Sequence, residues 1–270
     1  PGWAIMSVLL EVDRLSVVYK SGSPALQNVS FTMNAGEIIG IVGESGSGKS
    51  TLLRALLGML PDCGQYAGGD IVFQGKSIFS LSQKEWGSIR GKRMAMVFQD
   101  SGSYLNPIRT IGSQYIEAIR THVELSKKAA YAMAVDMLSQ MGLGDPERMM
   151  SMYPAQLSGG MKQRTAIAMA ITMKPELLLA DEPTSALDVT TQVEVIKRLT
   201  NLRASQGTGM IIVTHNIAVA AHMADYIGVM QNGLLVECGQ TSSIITSPRH
   251  AYTRGLLAAV PELEGNTDDR

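Results

Sequence analysis

Eight residues, Gly43-Glu44-Ser45-Gly46-Ser47-Gly48-Lys49-Ser50, constrain this chain more than any other stretch. They fit the phosphate-binding pattern of a glycine, four residues, then Gly-Lys-Ser. An apolar run, Ile38–Val42, precedes them, and Leu52, Leu53, Leu56, Leu57 and Leu60 follow at helical spacing. A strand feeding a glycine-rich turn and then a helix points backbone N–H groups and the helix dipole at an anion. The nucleotide set read from this stretch is Gly43, Ser45, Gly46, Gly48, Lys49, Ser50 and Thr51. Lys49 is placed to reach the β- and γ-phosphates as a point charge, and the Ser50 hydroxyl to ligate magnesium.

A chain of 270 residues fits one ATP-binding module with an inserted subdomain. The net charge is −1 and the basic residues form no run, which argues against nucleic acid as a partner and against a polybasic membrane anchor. Cys63 and Cys238 are far apart and lack metal-ligand spacing, so they read as reduced thiols of a cytosolic protein. Trp3–Leu10 is apolar but has no basic residue before it and runs into Glu11, so it reads as a strand and not a signal peptide. The five residues ahead of Met6 read as a cloning remnant. No apolar stretch approaches the roughly eighteen residues a membrane span needs, and the chain is expected to be soluble.

Leu15–Tyr19, Val29–Met33 and Ile71–Phe73 are short β-rich runs between Gly, Pro, Asn and Ser, and predict a small antiparallel sheet beside the nucleotide. Tyr19 ends one run, where its ring either stacks on adenine or simply packs. Met94–Phe98 is a further strand, and Gln99 leaves it in position to orient water or touch magnesium. Ile111, Tyr115, Ile116 and Ile119 fall on one helical face, and Ala130, Met133, Ala134, Met137, Leu138 and Met141 on another. The methionines read as core or adaptable contact surface rather than a metal site. Asp145-Pro146-Glu147 should break the helices.

Leu157-Ser158-Gly159-Gly160-Met161 precedes a helix expected from near Lys162 to Met173, a second glycine-rich helix start suited to an anion. Leu177–Glu182 then reads as a buried strand ending in two carboxylates. One such acid, Asp181, would hold magnesium while the second polarises water, and adjacent buried acids without a cation would be costly. Ser185–Asp188 follows, then a helix from about Val189 to Arg203 and a strand, Met210–Thr214. His215 closes that strand, at the sheet edge where ligands gather, in reach of a γ-phosphate. His122, His222 and His250 read as surface or local hydrogen-bonding residues.

Taken together, Tyr19, Gly43–Ser50, Gln99, Leu157–Met161, Leu177–Glu182, Ser185–Asp188 and His215 give a chain that resembles the ATPase subunit of ATP-binding cassette transporters. The resemblance implies an α/β P-loop NTPase with a RecA-like core, an antiparallel β-subdomain and an inserted α-helical subdomain at about 100–160. The ATPase domain would span 6–245, with a short C-terminal extension at 246–270. It implies that Tyr19 stacks on adenine, that Gln99 senses the γ-phosphate and the membrane partner, and that Ser158, Gly159 and Gly160 bind the ATP of a facing subunit. Asp188 joins the nucleotide set. Glu182 would be the general base and His215 the switch residue, with ATP and Mg2+ as cofactors.

The implied partners are a second homologous ATPase, as a heterodimer or a homodimer, two transmembrane permease subunits and an extracytoplasmic solute-binding protein. The implied place is the cytoplasmic face of the inner membrane, as a peripheral subunit. Phe98-Gln99-Asp100, Leu105-Asn106-Pro107, Met161 with Gln163-Arg164, and His250-Ala251-Tyr252-Thr253-Arg254 resemble the peptide and nickel importer branch. Oligopeptide-type members often carry a C-terminal cysteine cluster, and this sequence ends at Arg270 without one. That feature tilts the expected cargo toward nickel or a metal chelate, with dipeptides or oligopeptides as the alternative. A soluble, non-transport ATPase of the same type is the weaker rival, since its coiled-coil insertion or fused second cassette does not fit in 270 residues.

Overall fold

The computed structural model describes residues 7–20, 22–184 and 189–259. In chain order they form β1 (Val8–Tyr19), β2 (Pro24–Asn34), β3 (Ile38–Val42), α1 (Lys49–Leu56), β4 (Gly64–Phe73) and β5 (Lys76–Ser77). Next come α2 (Gln83–Ile89), β6 (Met94–Val97), α3 (Ile111–His122), α4 (Lys127–Gln140), α5 (Pro146–Ser151), α6 (Gly159–Ile171), β7 (Leu177–Asp181) and α7 (Val189–Gln206). The chain closes with β8 (Gly209–Thr214), α8 (Ile217–Met223), β9 (Tyr226–Gln231), β10 (Leu234–Gln240), α9 (Thr241–Thr246) and α10 (Ala251–Ala258). Two compact units result, one drawn from 1–80 and 209–270, the other from 81–208.

In the first unit, β1 pairs antiparallel with β2 and β4, and β5 extends the edge, in the order β2-β1-β4-β5. This is the antiparallel sheet the sequence predicts, with longer strands. Leu10 and Val12 are buried, then Leu15 and Val17, so the alternation slips by one residue at Asp13-Arg14. The backbone absorbs the slip there: Arg14 takes φ 45 and the register shifts between Val12 and Leu15. Such a bulge keeps both halves of the strand facing the core, and for that reason the run Leu15–Tyr19 marks only the second half of β1.

A second set of strands in this unit puts β3 between parallel β8 and β9, with β10 antiparallel on β9. Every residue of β3 and β8 is buried, as continuous apolar runs in a parallel sheet require. Gly40 lets α8 lie close, since a Cβ there would stand 2.9 Å from the Ala220 Cβ. β9 and β10 were not foreseen, yet Asn232-Gly233 joins them with both φ angles positive, 50 and 80. An Asn-Gly pair between apolar runs is the strongest short hairpin signal, so the clue was available.

The second unit carries the parallel pair β6 and β7 and the helices α2 to α7. Tyr115 of α3 is fully buried, and its hydroxyl lies 2.6 Å from the Thr172 Oγ1. Thr172 spends its own hydrogen on the Ala168 carbonyl, at 2.6 Å, so Tyr115 is the donor. Met137, Met141, Met149 and Met150 are buried and fill the space between helices, which makes them core. Asp145-Pro146 separates two helices as expected and also starts the second: Asp145 caps α5 by accepting from the Arg148 amide, with Pro146 in the first turn. Among the described residues no helix is long and apolar enough to cross a membrane.

Candidate nucleotide site

The phosphate loop joins β3 to α1 with three glycines at positive φ: Gly43 at 153, Gly46 at 81 and Gly48 at 103. Two of them are also required by space. A Cβ on Gly48 would stand 2.6 Å from the Ala25 carbonyl oxygen, and one on Gly43 would strike the Met230 carbonyl. Gly48 is the N-cap of α1 and supplies no side-chain cap, so the amides of the first turn are left for a ligand. Lys49 is buried, and its Nζ donates to the Gly43 and Glu44 carbonyls, both at 2.7 Å, and to the Ser47 Oγ at 3.3 Å. The ammonium is thereby held inside the ring of backbone that would surround a phosphate.

Tyr19 ends β1 beside this helix, half-buried, with its hydroxyl 2.9 Å from the Thr51 Oγ1. The contact ties the expected adenine-stacking residue to the first turn of α1. Ser45 and Gly46 are exposed on the loop and Ser50 is half-buried. His215 directly follows β8 and is exposed. Ser47 was not singled out from sequence; it is buried, and the Gly233 amide donates to its carbonyl at 3.0 Å. Tyr252 is a second residue without an assigned role. Its hydroxyl accepts from the Glu44 amide at 2.9 Å.

In the other unit, Asp181 is the last residue of β7 and is only 4% exposed. Glu182 departs from expectation: it lies just past the strand, half-buried, at φ 46. Of the two acids only Asp181 is fully buried, so they are not buried side by side. Gln99 follows β6 by two residues, and its Nε2 lies 3.5 Å from the Glu182 Oε2. The segment behind Glu182 is anchored twice. Gln163 of α6 donates to the Pro183 carbonyl at 2.5 Å, and Gln192 of α7 donates to the Thr184 Oγ1 at 3.0 Å.

Helix α6 begins at Gly159, earlier than the expected Lys162, because Ser158 is its N-cap and accepts from the Met161 amide at 3.2 Å. Ser158 and Gly159 are exposed and Gly160 half-buried, so the glycine-rich start is open to a partner. Asp188, with the rest of Ser185–Asp188, lies outside the described residues. Next to Gln99, Phe98 stacks on Tyr104 at 4.7 Å between ring centroids. These rings, with Met96, Leu105, Met169 and Ala170, line a cavity of about 240 Å3. Tyr104 is 60% exposed and Ile108 82%.

The Ser50 hydroxyl in one unit and the strand-end carboxylate of Asp181 in the other are each oxygen donors of the kind Mg2+ takes. A glycine-rich loop with a buried lysine at a helix N-terminus is an arrangement suited to a nucleotide's phosphates.

The ABC transporter family model matches residues 26–185, and that of the oligopeptide/dipeptide transporter C-terminal region matches residues 236–270. The oligopeptide transport ATP-binding protein OppD of Bacillus subtilis (strain 168) is 42% identical over 265 residues, 97% of this chain and 74% of the relative. The dipeptide transport ATP-binding protein DppD of Escherichia coli (strain K12) is 43% identical over 257 residues, 94% of this chain and 79% of the relative. Among solved structures, the dimeric post-hydrolysis state of the ATP-binding cassette MJ0796, bound to ADP and Pi, superposes with a TM-score of 0.78 at 28% identity. That match covers 86% of this chain and 99% of the other. The expected α/β P-loop NTPase fold therefore holds. The expectation of nickel finds no support in these relatives, whose names specify peptides. Both extend beyond the matched region, so the end of this sequence at Arg270 carries no weight about a cysteine cluster.

Proposed function

The chain belongs to the ABC transporter family of ATPases, which couple ATP hydrolysis to transport, and from that premise we propose that it energises a peptide importer. The observation that carries the substrate class is the C-terminal match at 236–270, the region that forms most of β10, α9 and α10. Identity above 40% to oligopeptide and dipeptide transport proteins across nearly the whole chain supports the same reading. The earlier preference for nickel or a metal chelate gives way to the peptide alternative.

ATP is the substrate. Lys49 neutralises charge on its β- and γ-phosphates while the first-turn amides of α1 hold phosphate oxygens. Ser50, Gln99 and Asp181 would hold magnesium, which when bound would supply charge neutralisation at the phosphates. Glu182 accepts the proton of the attacking water, and Gln99 and His215 orient groups around the γ-phosphate. Tyr19 supports the adenine. Ser158, Gly159 and Gly160 serve the nucleotide of a facing ATPase subunit, so that hydrolysis requires the pair to close, and Asp188 belongs to the nucleotide-binding set.

The partners we propose are a homologous second ATPase, two permease subunits and an extracytoplasmic binding protein, with this subunit on the cytoplasmic face of the membrane. The cavity beside Phe98 and Tyr104 would seat a permease segment: it is apolar and aromatic, and its lining residues flank Gln99 in sequence. In an ATPase assay of the reconstituted complex, binding protein loaded with di- or oligopeptides should stimulate hydrolysis. Stimulation by nickel or a nickel chelate and none by peptides would overturn the substrate class and leave the ATPase reading intact.

A further inference from the structure

The segment after β10 is built around one carboxylate. Glu237 Oε1 accepts from the Arg249 amide at 2.7 Å, and Oε2 from the His250 amide at 3.0 Å. His250 then caps α10, its Nδ1 accepting from the Tyr252 amide at 3.2 Å. Arg254 closes the turn by donating to the Arg249 carbonyl at 2.8 Å, and Thr253 is fully buried. His250, Thr253 and Arg254 of the motif are thus held in place, and the Tyr252 hydroxyl reaches outside it. That hydroxyl meets the Glu44 amide, the second residue of the phosphate loop, 208 positions away in sequence.

We propose that Tyr252 is a positioning residue for the ATP site, and that Glu237 and the turn it organises form a clamp by which the C-terminal region holds the phosphate loop. The loop needs such a hold. Its three positive-φ glycines give it freedom that the amides of a phosphate cradle must surrender on binding, and a hydrogen bond at its entry removes part of that cost in advance. Glu44 is exposed, so without Tyr252 its amide would turn to water and restrain nothing. The proposal rests on the loop binding ATP, as the family membership requires.

The test compares the full chain and Tyr252→Phe, each assembled with its partner ATPase and permease. Removing one neutral hydrogen bond should raise KM for ATP roughly three- to tenfold while kcat stays within about twofold. A Glu237→Gln variant should shift KM the same way by less. In parallel, hydrogen exchange of peptides covering Gly43–Ser50 should be faster in Tyr252→Phe. A role confined to folding would lower the active fraction, and with it the apparent kcat, without moving KM or the exchange of the loop. Unchanged KM and unchanged exchange in Tyr252→Phe would overturn the clamp. Failure of the parent chain itself to bind ATP would instead remove the nucleotide reading on which the clamp depends.

Discussion

The Gln163 side-chain amide donates to the Pro183 carbonyl, 20 residues along the chain and immediately behind Glu182. Both ends of the bond are buried, so the glycine-started helix α6 and the loop carrying the expected general base are fastened at one point. Gln163→Leu would leave the Pro183 carbonyl buried without this donor, at a cost of about 1–3 kcal/mol. Thermal unfolding should begin earlier, and kcat should fall more than KM changes, because the loop that aims Glu182 loosens. A variant matching the parent in both melting temperature and kcat would show that the bond neither stabilises nor positions the loop.

Lys49 and Glu182 should separate binding from chemistry. Lys49→Ala removes the ammonium proposed to meet the phosphates and should weaken ATP affinity roughly ten- to a hundredfold. Glu182→Gln should bind ATP as the parent does and lose on the order of a hundredfold or more in hydrolysis. Fluorescent-nucleotide titration and phosphate release measure the two quantities. Equal hydrolysis by Glu182→Gln and the parent would take the base role away from Glu182.

Burial pushes the Tyr115 phenol above its ordinary range, against the opposing pull of its bond to Thr172. Because the folded group stays protonated where an unfolded tyrosine ionises, its contribution is complete below about pH 10 and is lost as pH rises beyond that. Tyr115→Phe should cost about 1 kcal/mol near neutral pH and flatten the alkaline fall in stability. Denaturant melts at a series of alkaline pH values decide this; parallel curves for the two proteins would exclude Tyr115 as the source.

Glu237 has the opposite sign. Burial works against its ionised form, but the adjacent Thr253 hydroxyl and the Arg249 and His250 amides outweigh it and hold the carboxyl below its usual range. With the folded value depressed, the stabilisation is present above the unfolded value of 4.5 and is lost as pH falls through the folded one. Acid melts should show the parent more stable than Glu237→Gln at neutral pH, with the gap closing below about pH 4.5. A gap that persists unchanged in acid would mean that the charge on Glu237 does not hold the turn.

The sequence by itself determined the chemistry of this protein. Gly43–Ser50 needs only local geometry: an apolar strand, glycines that can take positive φ and a helix whose first amides face outward, all within twenty residues of chain. The same holds for the strand ending at Asp181 and for the Ser158 cap, where residue type and spacing suffice. The tertiary structure decided what depends on partners distant in the chain. No periodicity links Tyr252 to Glu44 or Gln163 to Pro183, because a hydrogen bond between remote segments is set by how the layers pack and not by either neighbourhood. The Asp13-Arg14 bulge is of the same kind: whether a slip in alternation ends a strand or bends it is settled by the neighbouring strands that pair across it.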